Sequence, residues 1–399
     1  MQFMFIDGEK LCVYKDGKVT TYESNYVKKY REASLISAKN LEWKKKGRTE
    51  MLLNEDFFDD DEEVSVSICA IAPTKNPNEI LYSFIVNESS GIYLKYLDDD
   101  KNTEAHVISS NSVDFTTLFS GEDRLLATIG KGEVVADIAI FSDDRSDYKC
   151  ITSGDSLDEN PSFTDTGTVL FNSYGVARDE NNNFLGYGSS SIYELDLSTM
   201  SIKEYPVEEG FSYIKPIQVR DKIYCIKRPV EDEDKSNPLI DILMIPVRIA
   251  QGIVGFVSFF VHAFSGKPLV SEGRKSDGNS LIKQRKKEER GLFVLNKRVS
   301  VEKELKRNKK SWNYGFIPRS WKLVRYTYKN DNQWKELVVF DGVADFCKLD
   351  TGEVIFTNGR HIFMDNGKEV ELLLDTDYCL KVSPVTPMQV SNLRDYNEI

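Results

Sequence analysis

The chain of 399 residues is 40% hydrophobic and 29% charged, with 22 Phe and 19 Tyr against 12 Pro, which excludes global disorder. Its formal charge of −12 argues against a nucleic-acid partner, because neutralising phosphates needs clustered Lys and Arg. One asymmetry hides in that average: from Arg274 to Lys310, 14 Lys and Arg stand against 5 Asp and Glu, a basic segment on an acidic body.

The opening Met1-Gln-Phe-Met-Phe-Ile-Asp-Gly has no charged leader, no apolar stretch of export-signal length and no small cleavage residues, so a cytoplasmic location is expected. Three short strands follow, Phe3 to Ile6, Lys10 to Tyr14 and Lys18 to Tyr22, joined by Asp7-Gly and Asp16-Gly turns. Residues 25–63 form an excursion between strands. Within it Tyr26, Tyr30, Ala33 and Ser37 recur at helical spacing behind a possible cap at Ser24 or Asn25, which predicts a loop helix over a sheet edge. The acidic run Glu55 to Glu63 reads as a solvated linker.

From Val64 onward, alternating strands repeat every 45 to 50 residues or so, with units beginning near Val64, Asp114, Asn160 and Phe211. The clearest unit, Val343 to Asp375, is a four-strand meander punctuated by Asp350-Thr-Gly, Asn358-Gly and Asp365-Asn-Gly. Tyr378 to Val385 then reads as a first strand whose partners are the three at the N-terminus. Sharing one unit between the two chain ends removes an open sheet edge. The predicted fold is therefore all-β: a six-bladed β-propeller over residues 1–399, closed by shared N- and C-terminal strands.

Asp158-Glu-Asn-Pro-Ser-Phe-Thr-Asp-Thr-Gly-Thr-Val-Leu-Phe-Asn-Ser, followed by Ser191-Ile-Tyr-Glu-Leu-Asp-Leu, resembles the TolB-like six-bladed propellers. In that family a Pro-x-Phe strand enters a Ser-Pro-Asp-Gly turn; here Thr164-Asp-Thr-Gly takes its place. Gly167 suits the turn, and Phe163, Val169 and Phe171 alternate onto one packed face. The resemblance implies a protein-binding platform, a sugar or peptide sensor, or a gate for a hydrolase, and names no ligand.

Residues 229–318 interrupt the fifth unit, far beyond an ordinary hairpin connection. Between Leu239 and Phe264, helical spacing gathers Ile242, Leu243, Ile245, Ile249, Ile253, Phe256, Val257, Phe260, Val261 and Phe264 on apolar faces. Pro246 bends or restarts that helix, and Arg248 leaves it short of a membrane span. The cations Lys283, Arg285, Lys286, Lys287, Arg290, Lys306, Arg307, Lys309 and Lys310 beside it suit an anionic leaflet, which predicts peripheral docking at the inner face of a membrane. Docking to a protein partner and packing on the body are the alternatives.

With only His106, His262 and His361, no His-x-x-x-His pair exists, and there is no Gly-x-Ser-x-Gly elbow or P-loop. Cys12, Cys69, Cys150, Cys225, Cys347 and Cys379 are scattered singly and read as small buried thiols. No catalytic residue, metal or cofactor is assigned. The expected function is a non-catalytic interaction scaffold with unidentified protein partners, recruited to a membrane. The rival expectations are a subunit of a protein assembly docked through the apolar helix, and an enzyme or ligand sensor using a central funnel.

Overall fold

Period-two alternation of Val, Ile, Phe and Tyr, cut by Gly and Asn turns, produces the expected short strands. The computed structural model describes residues 1–30, 32, 33, 36, 66–86, 89–98, 103–132, 134–230, 292–308, 315–329 and 333–390. All but Leu292 belong to one unit, Met1–Val230 with Phe293–Ile399; the other unit is Glu231–Leu292. The apolar run Leu239 to Phe264 lies outside the described residues.

In chain order the strands are β1 (Gln2–Asp7), β2 (Lys10–Lys15) and β3 (Lys18–Tyr22); then β4 (Val66–Pro73), β5 (Glu79–Val86), β6 (Ser89–Tyr96) and β7 (Glu104–Ser110). Next come β8 (Asp114–Ser120), β9 (Leu125–Lys131), β10 (Val135–Phe141), β11 (Tyr148–Cys150), β12 (Ser156–Phe163), β13 (Val169–Arg178), β14 (Phe184–Asp196) and β15 (Ser201–Glu204). The interrupted region supplies β16 (Phe211–Val219), β17 (Lys222–Pro229), β18 (Leu292–Val294), β19 (Lys297–Val299), β20 (Lys322–Lys329) and β21 (Gln333–Asp341). The chain closes with β22 (Asp345–Lys348), β23 (Val354–Thr357), β24 (Gly359–Asp365) and β25 (Val370–Pro384).

These strands form sheets of seven, eight, four, two and four strands. The expected pairing of the two chain ends is present: β1 lies antiparallel to β25, with Phe3 opposite Pro384 and Phe5 opposite Val382. The six-bladed propeller is corrected. The strands do not divide into six separate blades, and no sheet closes on itself. Two local features decide this. The 15-residue β25 serves both as the last strand of the β22–β24 meander and as the neighbour of β1, so two expected blades are one seven-stranded sheet. A single parallel bridge, Ala136 to Leu157, joins β10 to β12 and fuses two further groups into the eight-stranded sheet.

Membrane docking through an apolar or amphipathic helix is corrected as well. Among the described residues no helix is long and apolar enough to cross a membrane. The helix that the described end of the insertion does contain, Val301–Asn308, is polar, with Glu302 and Glu304 in its first turn and Lys306 and Arg307 in its last. Eight residues reach only about 12 Å, against the 20 or so residues a span requires, and only Val301 and Leu305 of this helix are apolar. No anionic-membrane partner is supported.

Strand β1 is buried on both sides. Met4 and Ile6 enter one core with Leu11, Val13, Ile71, Tyr82 and Phe84, whereas Phe3 and Phe5 enter another with Ile355, Ile362, Cys379 and Val382. This explains why its sequence is a continuous apolar run rather than an alternation. Each large side chain so buried contributes about 1.5–3 kcal/mol.

Residues 25–30 are helical. Ser24 caps them, its hydroxyl accepting the Val27 amide at 3.1 Å, and the Glu104 carboxylate accepts the amides of Asn25 and Tyr26 at 3.0–3.2 Å. Glu104 also pairs with Lys95 at 3.0 Å, with both side chains almost wholly buried. Val27 joins the core beneath, and Tyr26 packs on Tyr93 at 4.4 Å.

Candidate functional site

Strands β4, β8, β12, β16, β22 and β25 converge on a cavity of ≈ 670 Å³, within the range of small-ligand sites. Four of these strands carry a register shift beside the cavity: between Ile68 and Ala70, Phe115 and Thr117, Glu159 and Ser162, and Ile214 and Ile217. A bulge ends regular pairing and re-aims side chains, which is how one strand can serve both a sheet and a cavity wall. Asn160 and Lys215 sit at two of the shifts with φ of 52° and 54°. Asn adopts that left-handed region readily, but Lys does so at a cost that local bonds must offset.

Those bonds form a continuous polar belt. Thr117 Oγ1 donates to Thr128 Oγ1 at 2.6 Å, and Thr128 Oγ1 accepts the Asn160 amide at 3.2 Å. Asn172 Oδ1 accepts both Asn160 Nδ2 and the Lys215 amide, each at 3.0 Å. Lys215 Nζ then pairs with Asp345 Oδ1 at 2.5 Å, and Asp345 Oδ2 accepts the Val382 amide at 2.9 Å. The belt fixes one wall from β8 to β25.

A second pair, Lys348 with Asp165 at 3.3 Å, lines the same cavity. Lys381 also lines it, half-buried, and its ammonium has no hydrogen-bond or ion-pair partner among the described residues. Its positive charge reaches the Cys69 thiol and the Glu159 carboxyl and lowers the pKa of both. Burial outweighs that help, pushing Cys69 up to about 11 and Glu159 up to about 7. The Ser120 hydroxyl, buried in the wall, also lacks a partner among the described residues.

Glu159 is held by the β18–β19 hairpin. Leu295 and Asn296, with φ of 47° and 61°, make the two-residue turn that suits strand twist. Asn296 Nδ2 donates to Glu159 Oε2 at 2.6 Å, and the Leu295 carbonyl accepts Arg228 Nη1 at 2.6 Å. Arg228 is buried, stacked 4.9 Å over Trp321, with Nη2 3.3 Å from the Tyr174 hydroxyl.

The residues after β25 form part of the cavity wall. The Thr386 hydroxyl bonds Asp350, the Met388 amide donates to the Ser120 carbonyl at 2.9 Å, and the Glu122 amide donates to the Met388 carbonyl at 2.8 Å. Gly121 and Met388 thereby form a parallel bridge.

The described wall contains no histidine, and burial pushes the Cys347 thiol upward. Among the described residues no group of three or more His, Cys, Asp or Glu is placed to hold a metal. The six cysteines are free thiols. What the arrangement can do chemically is bind: it offers a fixed wall of ion pairs, a lysine whose ammonium has no partner among the described residues, and a stretch at Ser120–Glu122 that already pairs with the chain's own backbone at Met388.

The residues predicted for docking, Ile242, Leu243, Ile245, Ile249, Ile253, Phe256, Val257, Phe260, Val261 and Phe264, lie outside the described residues, as do Lys283, Arg285, Lys286, Lys287, Arg290, Lys309 and Lys310. Lys306 and Arg307 are exposed, and Arg307 lies 3.6 Å from Glu304. Neither Lys306 nor Arg307 lines the cavity. Sequence reasoning passed over Lys215 and Lys381, although each is a lysine set among apolar strand residues, in Tyr213-Ile-Lys-Pro-Ile and Cys379-Leu-Lys-Val. A cation that interrupts a buried pattern was the available signal.

No protein-family model matches the chain, and no curated protein does. Solved structures with a similar fold include TolB from Acinetobacter baumannii, at 11% identity over 96% of this chain and 66% of TolB, with a TM-score of 0.49. A protein from Lactobacillus plantarum matches at 8% identity over 96% of this chain and 99% of its own, with a TM-score of 0.43. The acylaminoacyl peptidase of Pyrococcus horikoshii matches at 11% identity over 77% of this chain and 39% of the peptidase, with a TM-score of 0.37. The chain thus spans just under two thirds of the TolB structure and well under half of the peptidase. These are distant, low-identity likenesses, and they assign the chain to no family.

Proposed function

We propose that this protein is a non-catalytic interaction module whose cavity receives an extended peptide segment of a protein partner. The observation that carries the reading is the chain's own segment through Met388, which adds to Ser120–Glu122 by two backbone bonds and one parallel bridge in the cavity wall. Strand addition of this kind takes affinity from main-chain hydrogen bonds and specificity from side-chain pockets. The wall favours binding over turnover, because Asp345 and Asp165 are held by lysines and the Cys347 thiol is driven toward its neutral form. Free thiols favour a cytoplasmic setting.

Selection from a random heptapeptide library on the purified protein tests the reading. Selected peptides should protect amides of residues 117–122 and 345–350 from hydrogen exchange. Protection confined to the outer strands β3, β15 or β21, or a selection that yields no binder, would refute it.

A further inference from the structure

We propose that the cavity selects a peptide segment carrying an acidic side chain, whose carboxylate pairs with Lys381; this rests on the function proposed above.

Two observations converge on it. The first is charge. Lys215 and Lys348 are cancelled by Asp345 and Asp165, whereas Lys381 has no such partner among the described residues. The other acidic lining groups, Glu122 and Asp350, are exposed at the rim, where solvent screens them. Glu159 feels Lys381 but is engaged by Asn296 at 2.6 Å, and burial keeps it partly protonated near neutral pH. It therefore supplies only a fraction of a counter-charge.

The second is shape. At Ser120 and Glu122 the wall already pairs with the backbone of Met388, so the group expected beside an incoming carboxylate is a peptide rather than a compact anion. An ammonium–carboxylate bond in a part-buried site contributes more than a neutral bond, typically enough for a ten-fold or greater change in affinity.

The experiment is a chemical-shift titration of the full chain with Ac-Ala-Ala-Glu-Ala-Ala-NH2, its Gln counterpart, N-acetylglutamate amide and inorganic phosphate. The Glu peptide should bind the wild-type chain about ten-fold more tightly than the Gln peptide. Lys381→Met should erase that difference, and Lys381→Arg should keep most of it. Lys18→Met, on exposed β3, is the control expected to change nothing.

Because Lys381 makes no ion pair to lose, its variants should melt with the wild type, which separates binding from folding. A Glu-peptide affinity that survives Lys381→Met overturns the proposal while leaving the cavity reading intact, provided both peptides still bind. N-acetylglutamate amide or phosphate binding as tightly as the Glu peptide overturns the peptide assignment in favour of a general anion site. Failure of both peptides to perturb the cavity wall at millimolar concentration overturns the proposed function itself.

Discussion

Glu104→Gln removes one charge from the most deeply buried ion pair described, and its consequences can be worked through. Lys95 Nζ lies 3.0 Å from Glu104 and donates to the Glu23 carbonyl at 2.9 Å; the two side chains are 0% and 2% exposed. The same carboxylate accepts the amides that open helix 25–30. Removing one partner of a buried pair leaves the other charge uncompensated, at roughly 3–5 kcal/mol. That is a large share of an ordinary domain stability of about 5–15 kcal/mol.

Lys95→Met should cost a similar amount, whereas the double variant should cost at least about 2 kcal/mol less than the two single changes together. Urea denaturation gives the energies, with an unchanged slope showing that the folded and unfolded states remain comparable. Hydrogen exchange at Asn25 and Tyr26 should rise more in Glu104→Gln than in Lys95→Met, since only the former weakens the acceptor of those amides. Single costs below about 1 kcal/mol, or strictly additive costs, would refute the reasoning.

Three other outcomes are expected. Asp345→Asn should strip Lys215 of its partner and weaken the belt at Val382, lowering stability by roughly 3 kcal/mol in thermal or urea melts; a loss under about 1 kcal/mol would show that the belt does not hold the wall. Glu159 is an acid whose folded pKa is raised from 4.5 to about 7, so its contribution is fully present below about pH 4.5 and lost as pH rises through 7. Glu159→Gln should therefore flatten the fall in stability between pH 4.5 and 7 by up to about 3 kcal/mol, and an unaltered slope would contradict the assigned burial. Gly359→Ala should destabilise by about 2 kcal/mol or more, because φ is +93° and the new Cβ would stand 2.5 Å from the Phe316 ring; a melting temperature equal to wild type would rule this out.

Strand content and turns follow from local chemistry, and the sequence by itself determined them. Alternation marks β16, β17, β20 and β21 although residues 230–321 intervene between the first and second pairs. Gly8, Gly167 and Gly352 adopt the positive φ that their turns require. The pairing of Phe3 to Ile6 with the C-terminal strand was legible too, because each end carried strands that lacked partners. Lys95 opposite Glu104 could have been read as a cross-strand charge pair, but its burial depends on a helix folded over it.

Tertiary structure alone decided how strands combine into sheets and which side chains share the cavity. The fusion of β10 with β12 rests on one bridge, and the double use of β25 rests on its length, neither of which leaves a periodic trace. The cavity wall brings together residues from Ala70 to Gln389, re-aimed at bulges where one residue slips out of register. A single slip reverses which face a side chain occupies, so no spacing rule could have placed Lys215, Lys381 and Ser120 around one space.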